Sequence, residues 1–296
     1  MNEPEDLDPE KLMDELLLPK SYTTYEDEEQ SRPEGLLFHG EEAIFPMFDE
    51  LDTLILLHRD AHFSGSFSAM MEYYRNPDAK GILEEIELGR IAFLDNVEKK
   101  LKKNLASLLI SGSDAERVAA SRKAYQQLRE AASKDDGAAR IADAILSEES
   151  IEELVEKAPK ELLQNPEFLL RFATSETFAD PLFPGYGKVP LLMIHLLGKI
   201  RYEPAVPSLF SLIGRSDFDI ETAALSALRQ IGETAKAFAL KKLPSRPLSI
   251  DNERAALVLL EFLPDENISK LFQQQLDKGV GDEADRLREY LLLGIN

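Results

Sequence analysis

The chain has 296 residues, a formal net charge of −21 and no cysteine or tryptophan. Without cysteine it holds no disulfide, thiolate metal site or cysteine nucleophile. Acidity of this size argues against a phosphate-backbone ligand, which needs a lysine- and arginine-rich surface. No apolar run approaches the roughly 18 residues of a bilayer-spanning helix, and the acidic start MNEPEDLDPE is the reverse of a basic-then-apolar leader. The expectation is a cytoplasmic protein with no membrane insertion, no nucleic-acid partner and no cofactor.

The charge is unevenly spread. Residues 1–34 carry 12 acids and 3 bases, residues 35–180 carry 28 and 17, and residues 181–296 carry 15 and 14. A partner repelled by the first half can therefore still dock on the nearly neutral C-terminal part. Four segments are predicted: an acidic, disordered tail over 1–34, a helical domain over 35–178, a proline/glycine junction over 179–190, and a repeat domain over 191–296.

In the tail, Leu12, Met13, Leu16 and Leu17 have the spacing of one face of a two-turn helix; Leu18 follows and Pro19 ends it. The stretch SYTTYEDEEQSRPEG has the low hydrophobicity and high charge of a linker. The tail reads either as a solubilising extension or as a short motif that docks as a helix.

From Glu41, apolar positions Ile44, Phe48, Leu51 and Ile55 advance by helical steps. HRDAHFSGSFS is expected to break that helix, with a short one over Ser66–Arg75. The longest predicted helix is Asp78–Ile110, with a stripe of Leu94, Val97, Leu101, Leu105 and Leu108, stopped by Ser111-Gly112. Ser113-Asp114-Ala115-Glu116 reads as a capping box opening a helix with Val118, Tyr125, Leu128 and Ala132. After the turn Lys134–Gly137 come a helix over Ala138–Leu146, a second capping box at Ser150–Glu153 opening Ile151–Lys157, and one or two helices in Pro159–Thr177. No stretch alternates like a strand. The fold class is all-α.

The junction Ala179–Pro190 holds three prolines and two glycines and cannot continue a helix. Beyond it, residues recur at a spacing of 31. Leu197, Leu228, Leu259 and Tyr290 form one column, Ile200, Ile231, Phe262 and Leu293 a second, and Ile194, Leu225, Ala256 and Leu287 a third. In the following helices Val206, Ala237 and Ile268 align, as do Leu209, Leu240 and Leu271. Two short helices per unit cannot bury their faces alone, so neighbouring units must stack. The N-terminal half is expected to be irregularly helical and the C-terminal part a short α-solenoid.

The runs LLGKIRYEPAVPSLFSLI and AALSALRQIGETAKAFALKKL resemble HEAT repeats of the short bacterial, PBS-lyase-like kind, over roughly residues 188–296. The resemblance implies a stack of helix pairs. The repeat array, the lack of a catalytic set and the charge contrast along the chain point to a non-catalytic adaptor or scaffold. The resemblance also implies an alternative, a bilin lyase or lyase-like chaperone for a pigment-binding protein. Departures are visible. Glu221 stands where the family places an arginine, and Phe262-Leu263-Pro264 replaces the Ile-Gly found at Ile231-Gly232. Iron-binding enzymes of similar fold use His-Glu pairs, and this chain has no His-Glu dipeptide.

Candidates for chemistry are few. His58-Arg59-Asp60-Ala61-His62 places two imidazoles four residues apart, a spacing that can share one metal ion, with Asp60, Asp49, Glu50 or Glu72 needed to complete the set. The alternative function it implies is a metal-dependent enzyme at His58 and His62. The same residues also make an ordinary polar helix end. Gly185-Tyr186-Gly187-Lys188 lacks the spacing of a phosphate-binding loop. Paired carboxylates such as Glu84-Glu85 read as solvated faces. What remains is a surface. Stepping by 31 along the second helices joins Phe210 and Ser211 to Lys241 and Lys242, then to Phe272 and Gln273, with Ser208, Ala239 and Lys270 alongside. This aromatic and basic stripe would receive an acidic or amphipathic segment of another protein, unless the phenylalanines pack inside.

Overall fold

The computed structural model describes residues 48–76, 88–215, 217–279 and 285–295. The predicted N-terminal tail, with its Leu12–Leu18 cluster, lies outside them. Among the described residues there are seventeen α-helices, one 3-10 turn and no strand. None of these helices is long and apolar enough to cross a membrane. The chain divides into two compact units, residues 1–127 and 128–296. The division falls inside a helix, not at the predicted junction over 179–190.

Unit one begins with α1 (Glu50–His62), α2 (Phe67–Tyr74), α3 (Leu88–Leu101) and α4 (Ala106–Leu109), followed by the long α5 (Gly112–Ala132), which runs past its end. Asp49 caps α1 by accepting from the Asp52 N–H at 2.9 Å, while Asp52 accepts from the Asp49 N–H at 3.0 Å. Starting there, the helix buries Ile55, Leu56 and Arg59 and leaves Leu51 43% exposed. The face predicted through Phe48 and Leu51 is therefore rotated. The helix also continues through HRDAH and ends only at Phe63–Gly65, where Ser64 and Gly65 have positive φ.

The predicted helix over Asp78–Ile110 is not continuous. Residues 77–87 lie outside the description, and α3 stops at Leu101 because Lys102 turns into the left-handed region at φ 51°. The break is stabilised from behind, since the Glu98 carboxylate accepts the Leu105 N–H at 2.8 Å. Of the predicted stripe, Leu94 and Leu105 are fully buried, whereas Leu108 is 49% exposed. Helix α5 starts one residue before the predicted N-cap Ser113. The core of this unit gathers Ile55, Leu56, Phe67, Met70, Ile91 and Leu94.

Unit two contains α6 (Asp136–Leu146), α7 (Ile151–Glu156), α8 (Lys160–Leu163), α9 (Pro166–Ala173), α10 (Glu176–Ala179), α11 (Val189–Lys199), the 3-10 turn Glu203–Ala205, α12 (Val206–Leu212), α13 (Phe218–Ile231), α14 (Glu233–Lys242), α15 (Ile250–Leu260), α16 (Glu266–Asp277) and α17 (Asp285–Leu293). The Ser150–Glu153 capping box is present. Pro159–Thr177 yields parts of three short helices where one or two were expected. The Pro/Gly stretch is not an exposed linker. Leu182 and Phe183 are buried in it, and its glycines permit tight turns, with φ of 83° at Gly185 and 76° at Gly187.

Helix α11 packs on α9 and α13, α13 on α15, and α15 on α17. Two of the three 31-residue columns follow these helices, since Ile194, Leu197, Leu228, Ala256, Leu259 and Leu287 are buried, whereas of the column Ile200, Ile231, Phe262 and Leu293 only Ile231 is buried and Leu293 is 64% exposed. The intervening helices keep a different step. Their buried residues include Val206, Leu209 and Phe210 in α12, Ala235 and Ala239 in α14, and Ile268 and Phe272 in α16. Ala237, predicted to be in the core column, is exposed. The reason is the connection. Only Gly232 separates α13 from α14, whereas a turn over 200–205 precedes α12 and residues 261–265 precede α16. Val206 and Ile268 lie 62 residues apart, twice 31, whereas Ala235 lies 29 beyond Val206, so the second helix arrives two residues early in the middle pair alone.

Candidate functional site: a buried charge network opening on a groove

The strongest concentration of polar chemistry is the HRDAH segment of α1. It lies in the last turns of a helix whose apolar side packs into the core, so Arg59 is carried inside. Its side chain is fully buried, an arrangement tolerated only when the charge is paired and its donors are used. Nε donates to Asp60 Oδ1 at 2.7 Å, Nη1 to Glu98 at 2.9 Å, and Nη2 to Asn104 Oδ1 at 3.2 Å. The guanidinium also sits 4.3 Å from the Phe67 ring centroid, a cation–π contact. Asp60 lies between two cations. Its second oxygen accepts from Arg122 Nη2 at 2.9 Å, and its backbone carbonyl accepts from Arg122 Nε at 2.7 Å.

The two histidines point to tyrosines. His58 Nε2 lies 2.7 Å from the Tyr74 hydroxyl, and His62 Nδ1 lies 2.5 Å from that of Tyr125. Their rings meet edge to face with centroids 4.6 Å apart. Burial, with a smaller contribution from His62, holds the His58 pKa down to about 3, so this imidazole is neutral at neutral pH. Of the carboxylates that would have completed a metal set, Asp60 is held by Arg59 and Arg122, and Asp49 lies 3.5 Å from Arg90. Among the described residues, no group of three or more His, Asp or Glu is placed to hold a metal ion.

A groove of about 330 Å³ opens beside this network, between α4 and α5. Its lining is mainly apolar, from Ala106, Ile110 and Val118, with Asp60, Asn104, Ser107 and Arg122 supplying polar atoms. The Arg122 side chain is 48% exposed, so it joins the buried network to the solvent. Asp60 is held by two guanidiniums, and His58 is a neutral, buried imidazole. An apolar floor with a cationic edge suits binding.

The predicted partner-binding residues are divided in unit two. Phe210 and Phe272 are core residues, 4% and 0% exposed, so the aromatic half of the stripe is internal. Phe210 packs edge to face with Phe238 at 5.1 Å. Ala239, placed alongside them, is also buried. Lys241, Lys270 and Gln273 are exposed and Ser211 is half-buried. Lys242 is paired with Asp251 at 2.9 Å. Arg122, Asn104 and Glu98 were not foreseen. They reach the HRDAH segment from 62, 45 and 39 residues away, and nothing in the local pattern announces such pairs.

No protein-family model matches this chain, and neither a curated protein nor a solved structure does.

Proposed function

We propose that the chain is a non-catalytic adaptor, its C-terminal unit a short α-solenoid of HEAT-like helix pairs that presents the outer side of its second helices to another protein. The supporting observation is the neighbour-to-neighbour packing of unit two. The first helices α11, α13, α15 and α17 touch in sequence. The second helices are joined in turn by Phe210 with Phe238 and by Lys236 with Asp265 at 2.7 Å. Contact restricted to successive units is how repeat arrays are built.

The register of the buried residues defines the surface. With Val206, Ala235 and Ile268 taken as equivalent, Ser208 falls beside Ala237 and Lys270, and Ser211 beside Leu240 and Gln273. All six are exposed or half-buried. This face is small and polar around Leu240, with one cation, and suits a helix or extended segment bearing an apolar anchor and an acid.

The test is cross-linking of the native chain to its partner, followed by affinity measurement with the purified partner. Leu240→Asp combined with Lys270→Glu should weaken binding at least about tenfold, the scale of one lost apolar anchor, with the melting temperature retained. Unchanged affinity removes this face. A chain recovered with no stoichiometric protein partner removes the adaptor reading.

A further inference from the structure

A second binding surface lies on unit one. Helix α4 is a single turn flanked on both sides by hollows. One is the groove of about 330 Å³ shared with α5, and the other, of about 760 Å³, is lined by Leu109 together with Phe48 and Leu51. On α4 itself Leu108 is 49% exposed, and on α1 Leu51 and Leu54 are 43% and 41% exposed. Clustered large apolar side chains at this exposure mark a surface that is covered by something. One edge is basic, with exposed Lys102 and Lys103 preceding Asn104 and Arg122 across the groove.

We infer that this surface is a binding site for an acidic, leucine-bearing helical segment, and that its occupant is the chain's own Lys11–Leu18. Three observations select it. Its sequence spaces Leu12, Met13, Leu16 and Leu17 as one face of a helix would, with the acids Asp14 and Glu15 interspersed. Its surroundings are the most acidic in the chain per residue, with 12 acids against 3 bases over 1–34, and they meet a basic edge in a protein of net charge −21. The description also begins at Phe48, which itself lines the larger hollow. The residues between Leu18 and Phe48 extend to roughly 100 Å at full stretch, so the segment reaches either hollow. Tethering places it at an effective concentration of order millimolar. Asp49 and Glu50 line the larger hollow, so the acids that flank the segment are directed to the side of the exposed Lys102. The proposal is independent of the second-helix face, which belongs to the other unit.

The absence of native cysteine makes a direct test available. Glu10→Cys and the exposed-site Ala115→Cys are introduced into the full chain and treated with a short bismaleimide. An intramolecular cross-link is expected, with its yield falling at least about tenfold when Leu16→Asp and Leu17→Asp are added, since two buried leucines are lost. An undiminished yield means that the tether alone brings the sites together, and overturns the assignment. A cross-link found only between two chains gives the site to a second copy and overturns it equally, as does no cross-link at all. If the cysteine variants fail to fold, amide exchange decides with the cysteine-free chain. Residues 106–118 should lose protection in the Leu16→Asp, Leu17→Asp chain, and equal protection overturns the proposal.

Discussion

Gly198 on α11 and Ala227 on α13 approach so closely that a Cβ on Gly198 would lie 2.8 Å from the Ala227 Cα and 3.0 Å from its Cβ. Backbone meets backbone there, and neither side has a flexible chain end to move. In an exposed helix interior, Gly→Ala gains up to about 1 kcal/mol. Here Gly198→Ala should destabilise by about 1–3 kcal/mol, because overpacking outweighs propensity. Urea unfolding checks the sign, and a stabilised variant would show that α11 and α13 can separate freely.

Arg59 gives the second prediction. Removing it strands Glu98 and leaves Asp60 with Arg122 alone, so Arg59→Leu should cost about 3–5 kcal/mol, the range for breaking a buried ion pair from one side. Arg59→Lys should recover little of it. A single ammonium cannot span Asp60, Glu98 and Asn104 as the planar guanidinium does. Chemical denaturation of both variants measures the two losses.

His58 sets a pH dependence. Its pKa falls from 6.5 in the unfolded chain to about 3 in the fold, so between these values the unfolded state binds the extra proton. Stability contributed by the neutral imidazole is fully present above pH 6.5 and is lost as pH falls toward 3. The loss between pH 6.5 and 5 should be about 1.5 kcal/mol. His195, lowered mainly by burial, acts in the same direction. His58→Gln should flatten the profile in that window, and the His58 ring proton shift should stay constant down to pH 5.

The register of the second helices is tested by two substitutions that the 31-residue spacing treats as equivalent. Phe272→Ala should cost about 3–5 kcal/mol, as for a buried aromatic truncated in a core. Lys241→Glu should stay within about 0.5 kcal/mol, as for an exposed residue. Thermal melts separate the two cases, and equal small effects would restore the surface stripe.

Much of the fold was readable because its causes are local. The step of the apolar residues in α13 and α15 reports burial on one side of a helix, and Ser150 with Glu153 announces a helix start through its own hydrogen bonds. The break at Lys102 was missed because its stabilisation comes from Glu98 accepting the Leu105 N–H, a contact that depends on the break having formed. The register of α14 was missed because a single glycine connects it to α13, and connection length shifts phase without changing composition.

The sequence by itself determined the all-helical class seen in the described residues, an acidic first half, a nearly neutral C-terminal part and the absence of thiol chemistry, since each depends on residue identity and near-neighbour spacing. Only the tertiary structure decided that Phe210 and Phe272 face inward, that Arg59 is buried against Asp60, Glu98 and Asn104, and that a groove opens between α4 and α5. The charge network depends on partners brought from 39 to 62 residues away, and the inward Phe210 on Phe238 of a neighbouring helix. Packing selects such contacts, and no periodicity along the chain encodes them.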